Sequence, residues 1–193
     1  MQRNGWMLTK PSMIQPSKLF GRLGNTMFQG AYLIAQAERG EIPDIYVQDY
    51  ELFDDYRDKI KAIYSQGSHT PIDMVAIHVR RGDYVNNPFY VDLFFTAYYE
   101  RAMAEFPDCE FLVFSDDIEW CKKQPIFASC EFSEGNDEIV DFNLMSACKG
   151  LIMANSSYSW WASYLSNAKV VAPKEWFSDG IIRCKLLPEW TTL

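Results

Sequence analysis

One pattern limits what this chain can fold into more than any other. From Met74 to Ala172, short apolar runs rich in strand formers alternate with segments at helical spacing. The spacing predicts strands over 74–79, 111–114, 126–132, 151–154 and 169–172, the third being the weakest because Ser129 interrupts it. Helices are expected between them, over 91–106, 118–123, 138–148 and 157–165, and Pro107 and Pro125 stop the first two. Continuous apolar runs, as opposed to alternating ones, belong to strands covered on both faces. Strand–helix–strand repetition then gives a parallel sheet with helices on either side. Residues 71–193 are therefore read as a doubly wound α/β domain, whose ligands bind beyond the carboxyl ends of the strands.

The first seventy residues carry a smaller version of the pattern. A strand over 13–20 is poor or at an edge because it holds Pro16. The loop Gly21-Arg22-Leu23-Gly24 follows, then a helix over 25–38 that buries Met27, Phe28, Ala31, Leu33, Ile34 and Ala35 and ends at Gly40. A strand over 45–47 and an amphipathic helix over 51–64 come next, the helix with Leu52, Phe53, Tyr56, Ile60 and Ile63 on one side. The polar stretch 65–71 reads as a linker. Two α/β units of unequal size result, 1–70 and 71–193.

Composition narrows the function. Apolar residues at 48% and charged residues at 23% exclude disorder and a pure coiled coil. A formal net charge of -8 argues against general nucleic-acid binding, which wants a basic excess. Five cysteines, an odd number with no Cys-x-x-Cys spacing, speak against a disulfide framework or zinc site and for a reducing compartment. His69 and His78 are too few for a multi-histidine metal site. Without a targeting segment or a run long enough to span a bilayer, a cytoplasmic location with no integral membrane segment is expected.

The chemistry should lie just after each strand. His78-Val79-Arg80-Arg81-Gly82-Asp83-Tyr84 closes the first strand of the larger unit. Two guanidiniums at that edge suit a diphosphate, whose oxygens match their fork. One Arg is expected to meet ligand while the other is braced by Asp83 or a neighbouring carboxylate. His78 by default is a satisfied core histidine, yet it shares a strand face with Arg80. Ser115-Asp116-Asp117 is expected to cap the helix that follows. Asn155-Ser156-Ser157 opens another helix, where capping or phosphate contact would each explain the polar run. Asp141 sits among Ile139, Val140, Phe142, Leu144 and Met145. It either lies on the solvent face of its helix or accepts from a paired N–H edge such as that of guanine.

Taken together these segments resemble glycosyltransferase family 11, the α-1,2-fucosyltransferases. The resemblance rests on four ordered blocks. They are Gly21-Arg22-Leu23-Gly24-Asn25 with Met27-Phe28-Gln29, the His78–Tyr84 segment, Phe114-Ser115-Asp116-Asp117 with Trp120, and 141–149 continuing through 154–161 to Trp176-Phe177. It implies a GT-B fold of two Rossmann-like parallel-sheet domains of unequal size, and no cofactor or metal. It implies GDP-fucose as donor, a glycan acceptor, and inversion at the anomeric carbon. By resemblance Arg80 is the catalytic residue that holds the β-phosphate, and His78 and Asp141 contact guanosine. Asn155, Ser156 and Ser157 line the diphosphate, and Gly21, Arg22 and Asn25 approach from the opposing domain. Arg81, Asp83, Ser115 and Asp116 are structural support. The sequence departs from the family at Thr26, where relatives have Gln, and at Gly150, where they have His. A non-catalytic nucleotide-sugar-binding protein, or a transferase for another GDP-sugar, is the alternative. All these readings require a positively charged pocket at one rim of the larger unit.

Overall fold

The computed structural model describes residues 21–39, 48–65 and 70–193. The strands expected over 13–20 and 45–47, and most of the 65–71 linker with His69, lie outside the described residues.

Six parallel strands form one sheet: β1 Ile72–Val79, β2 Phe111–Ser115, β3 Glu131–Phe132, β4 Cys148–Ile152, β5 Lys169–Ala172 and β6 Thr191–Thr192. Their spatial order is β3-β2-β1-β4-β5-β6. This is a Rossmann-like order, and its direction reverses between β1 and β4. Register places His78 opposite Phe114 and Val79 opposite Ser115, so the β1 and β2 ends are level.

Alternation along each strand divides the core between two faces. Val75, Ile77, Val113, Ile152 and Val171 pack with Tyr98, Tyr99 and Ala102 of α3 Tyr98–Ala104 and with Cys121 of α4 Ile118–Cys121. Ala76, Phe114, Leu151, Met153 and Val170 face the other way, toward α5 Glu138–Ala147 and α6 Ser157–Leu165. The earlier helices α1 Leu23–Arg39 and α2 Arg57–Tyr64 join this second face. Phe28 lies 4.4 Å from Trp160 and 5.1 Å from Trp161 between ring centroids, and Phe53 stacks on Trp161 at 5.7 Å. Aromatic pairs of this kind add about 0.5–1.5 kcal/mol each beyond the area they bury. The described part of residues 1–70 thus shares the core of the sheet.

Several elements differ from the sequence expectation. The helix over 91–106 is broken: Leu93–Thr96 is a 3-10 turn, and Ala97 adopts a left-handed φ of 54° before α3 begins. The strand over 126–132 shrinks to two residues, because Pro125–Phe127 winds into a 3-10 turn first. The helix over 51–64 is two 3-10 turns and then α2, leaving Leu52 and Ile63 exposed while Phe53 and Ile60 are buried. β6 was not anticipated, since two threonines carry no apolar signal.

Candidate active site

The backbone delivers three connections to the carboxyl edge of the sheet at its switch point. Beyond β1 the chain turns through Arg80-Arg81-Gly82-Asp83. Gly82 leaves room there for the Asp116 carboxylate, whose Oδ2 a Cβ would displace. The Asp116 carboxylate comes that close because it holds the turn, accepting from the Arg81 backbone N–H at 2.8 Å and from the Arg80 guanidinium. Asp83 takes a second N–H of Arg80. Arg81 points the other way, its guanidinium 3.5 Å above the Trp120 ring and 3.3 Å from Asp117. Capping of α4 falls to Asp117, which accepts from the Trp120 N–H, and Ser115 Oγ accepts from the Asp117 N–H.

Beyond β4 the chain enters α6. Ser156 is the N-cap, its hydroxyl accepting from the Tyr158 N–H. Ser157 Oγ donates to Asn25 Oδ1 at 2.9 Å, and the same oxygen accepts from Gln48 Nε2 at 2.7 Å. The starts of α1 and α6 are thereby fastened together. Two helix N-termini meet at one place, each the equivalent of roughly half a positive charge. Asn155 lies beneath. Its amide donates to the carbonyls of Val91 and Trp176 at 2.9 and 3.0 Å, tying the connections after β1 and β5 to the end of β4.

These parts enclose a cleft of about 590 Å³. Gly21, Arg22, Asn25, His78, Arg80, Asp83, Ser115, Asp116, Asp141, Ser156 and Ser157 all line it. His78 and Arg80 do share a face, as their spacing predicts. Arg81 and Asn155 lie outside the lining, and Asn155 instead borders a void of about 20 Å³ under the Arg80 turn. At the β3 side, Asp141 Oδ1 accepts from Ser133 Oγ at 2.7 Å and from Asn136 Nδ2 at 3.2 Å. Its other oxygen has no hydrogen bond among the described residues. His78 is 5% exposed, its ring 5.4 Å from that of Tyr158, and its Nδ1 has no partner among the described residues. Burial first, and the charge of Arg80 second, push the imidazole down to about 3, so it is neutral at physiological pH.

The expected basic pocket is not what the side chains form. Asp83, Asp116, Glu138 and Asp141 line the cleft together with Arg22, Arg80 and Arg183. Arg80 is ion-paired with Asp83 and Asp116, and Arg183 with Asp179. Arg22 alone among these three has no carboxylate partner among the described residues. Arg22 and the two helix starts are what remains there to attract an anion. Sequence reasoning missed the far wall, where Tyr84, Phe89, Tyr90, Phe177 and Arg183 gather. Tyr84, Trp176 and Phe177 lay in the quoted blocks, but nothing local links them in space.

A match to the model of glycosyl transferase family 11 runs over residues 39–193. The chain belongs to glycosyltransferase family 11. This family 11 chain is 30% identical to the O-antigen biosynthesis glycosyltransferase WbnK of Escherichia coli, over 97% of its own length and 70% of that protein's. Identity to an alpha-1,2-colitosyltransferase of Escherichia coli is 42%, over 53% of this chain and 41% of the other. Identity to galactoside alpha-(1,2)-fucosyltransferase 1 of Homo sapiens is 27%, over 74% and 46%. The chain thus spans less than half the length of the last two. It is a glycosyltransferase by family, and among the described residues no helix is long and apolar enough to cross a membrane.

Proposed function

We propose that this chain transfers fucose from GDP-fucose to the 2-hydroxyl of a galactoside, with inversion at the anomeric carbon and without a metal ion. The observation that carries this reading is the convergence of the α1 and α6 N-termini with Arg22 and Arg80 on one cleft at the switch point. Anions bind at helix starts because unpaired N–H groups and the helix dipole both favour them.

In this reading the guanine lies at the Asp141 side, its paired N–H groups donating to the free oxygen of that carboxylate. Neutral His78 packs against the nucleoside. The diphosphate lies across Ser156 and Ser157, with Arg22 and Asn25 closing over it. Asp83, whose side chain is 59% exposed, leaves Arg80 and a phosphate oxygen takes its place, while the more sheltered Asp116 keeps the guanidinium aimed. The bond from the anomeric carbon to the β-phosphate oxygen breaks, and its electron pair leaves with GDP. The acceptor oxygen forms the new bond from the opposite face, and its proton passes to water, giving the glycoside, GDP and one proton. Arg80 and the helix starts stabilise the charge on the departing diphosphate, the part a metal ion plays elsewhere. The sequence holds no Asp-x-Asp pair to bind one. A GT-B arrangement, with a second lobe facing this cleft, belongs to the same proposal.

A second reading replaces fucose by colitose and is favoured by the 42% identity to a colitosyltransferase. Calorimetry with GDP, GDP-fucose and ADP, followed by product analysis on a galactoside panel, tests the proposal. Binding of both guanine nucleotides at least tenfold tighter than ADP, with fucosylated product, is the expected result. Equal binding of ADP sinks the guanine assignment, and binding of donor without transfer to any acceptor makes the chain a nucleotide-sugar-binding protein. Transfer from GDP-colitose in preference to GDP-fucose selects the second reading.

A further inference from the structure

The aromatic wall of the cleft has no part in the donor contacts above. Tyr84 and Tyr90 stack with centroids 3.6 Å apart and planes within 7°. Phe177 lies 5.6 Å from Tyr90 and 5.0 Å from Phe89. The Arg183 guanidinium carbon sits 4.9 Å from the Phe89 centroid and 4.8 Å from that of Phe177. Phe89 is nevertheless 42% exposed, an apolar ring left open in a polar cleft. The wall is also built to hold still. Tyr90 and Phe177 form an antiparallel bridge, the Val91 N–H donates to the Trp176 carbonyl, and the Ser178 N–H donates to that of Phe89. Asn155 clamps both connections from below.

Its position follows from strand order. Asp141 is fixed to Ser133 just past β3, Arg80 leaves β1, and Trp176-Phe177 follow β5. Strand spacings put the two ends about 19 Å apart along the sheet edge, with Arg80 between them. Arg80 itself lies 5.4 Å from the Tyr84 ring, so the wall begins where the diphosphate would end.

We infer that Phe89, Phe177 and Arg183 form the subsite for the acceptor hexose, a deepening that rests on the proposed function. The negative face of an aromatic ring attracts the C–H face of a galactose, whose axial 4-hydroxyl leaves one side of the ring apolar. Arg183 keeps N–H groups at the rim for the sugar hydroxyls. A pre-built surface of this kind orients the nucleophile at small entropic cost.

The test uses lactose as the acceptor probe and reads its contact with the protein by ligand-observed NMR, with GDP affinity measured separately by calorimetry. Lactose saturation by the wild type, weakened about tenfold in Phe89→Ala and Phe177→Ala and kept in Phe89→Tyr, is the expected result, with GDP affinity unchanged within twofold. Arg183→Gln, at an exposed position, gives the same loss without endangering the fold. Lactose contact that is missing in the wild type, or undiminished in the variants, overturns the inference. So does a parallel loss of GDP affinity, which would make the wall part of the donor site. Failure of GDP to bind the wild type strikes the proposed function instead, and the lactose readings still decide the subsite.

Discussion

The Cα of Gly24 lies so close to α6 that a Cβ on it would stand 2.4 Å from the carbonyl carbon of Ser157 and 2.6 Å from the Tyr158 nitrogen. Both neighbours are backbone, so neither can swing aside. Gly24→Ala must therefore push the start of α1 away from α6 and break the bond from Ser157 to Asn25. Overpacking costs about 1–3 kcal/mol, so thermal unfolding should come about 2–12 °C earlier. A variant with an unchanged melting temperature would show that the two helix starts are not in contact.

Arg22 and Arg80 differ in what holds them, and the difference is measurable. Arg22→Gln removes a guanidinium that has no carboxylate partner among the described residues and should weaken GDP binding about tenfold, the scale of one charge-assisted hydrogen bond, with little change in stability. Arg80→Lys keeps the charge but loses the fork that Asp83 and Asp116 grip, and kcat at saturating donor should fall by about 100-fold or more. Near-normal turnover in Arg80→Lys would remove Arg80 from its assigned role.

The two carboxylates on Arg80 are predicted to behave oppositely. Asp83→Asn frees the place that a phosphate oxygen would take, so GDP should bind at least as tightly as before. Asp116→Asn loosens both the guanidinium and the Arg81 N–H, and should lower both GDP affinity and melting temperature. Calorimetry on the pair is decisive: weaker binding in Asp83→Asn would mean that Asp83 serves the ligand directly.

Asn155→Ala takes from the Val91 carbonyl its Asn155 donor, at about 1–3 kcal/mol where that carbonyl is buried, and removes one of two donors from the Trp176 carbonyl, which keeps the Val91 N–H. The melting temperature should drop by several degrees while GDP affinity stays within a few-fold. A loss of GDP binding without loss of stability would instead put the amide on the donor, as the family resemblance implies.

His78 makes stability depend on pH. Its folded value is pushed down to about 3 from 6.5, so between those values only the unfolded chain takes up the proton. The contribution is constant above pH 6.5 and stability is lost as pH falls through the window below it. From pH 7.5 to 5.5 the wild type should lose about 1 kcal/mol more unfolding free energy than His78→Gln. Equal losses in urea titrations at the two pH values would place a solvated imidazole at this position.

How much of this was legible in the sequence depended on the range of the interaction. Strands β1, β2, β4 and β5 and helices α5 and α6 are announced by apolar runs and their punctuation, because burial on both faces of a sheet demands them. The pairing of His78 with Arg80 on one face follows from strand periodicity alone. The division of labour between the two arginines does not. Arg80 and Arg81 look alike in sequence, and only the approach of Asp116, Asp117 and Trp120 sends one guanidinium into the cleft and the other onto an indole. The left-handed Ala97 that splits the expected helix is equally silent, since alanine is a good helix former.

The residues by themselves determined a parallel, doubly wound sheet, the edge of it that carries chemistry, and the family. These are consequences of local periodicity and of short motifs whose members are neighbours in the chain. The tertiary structure decided which charges remain available. A carboxylate thirty-six residues away pairs with Arg80, and two helices that begin far apart in sequence bring their N-termini to the same cleft. Charge can be counted from a sequence, but a field depends on distance, and distance is set only when the chain has packed.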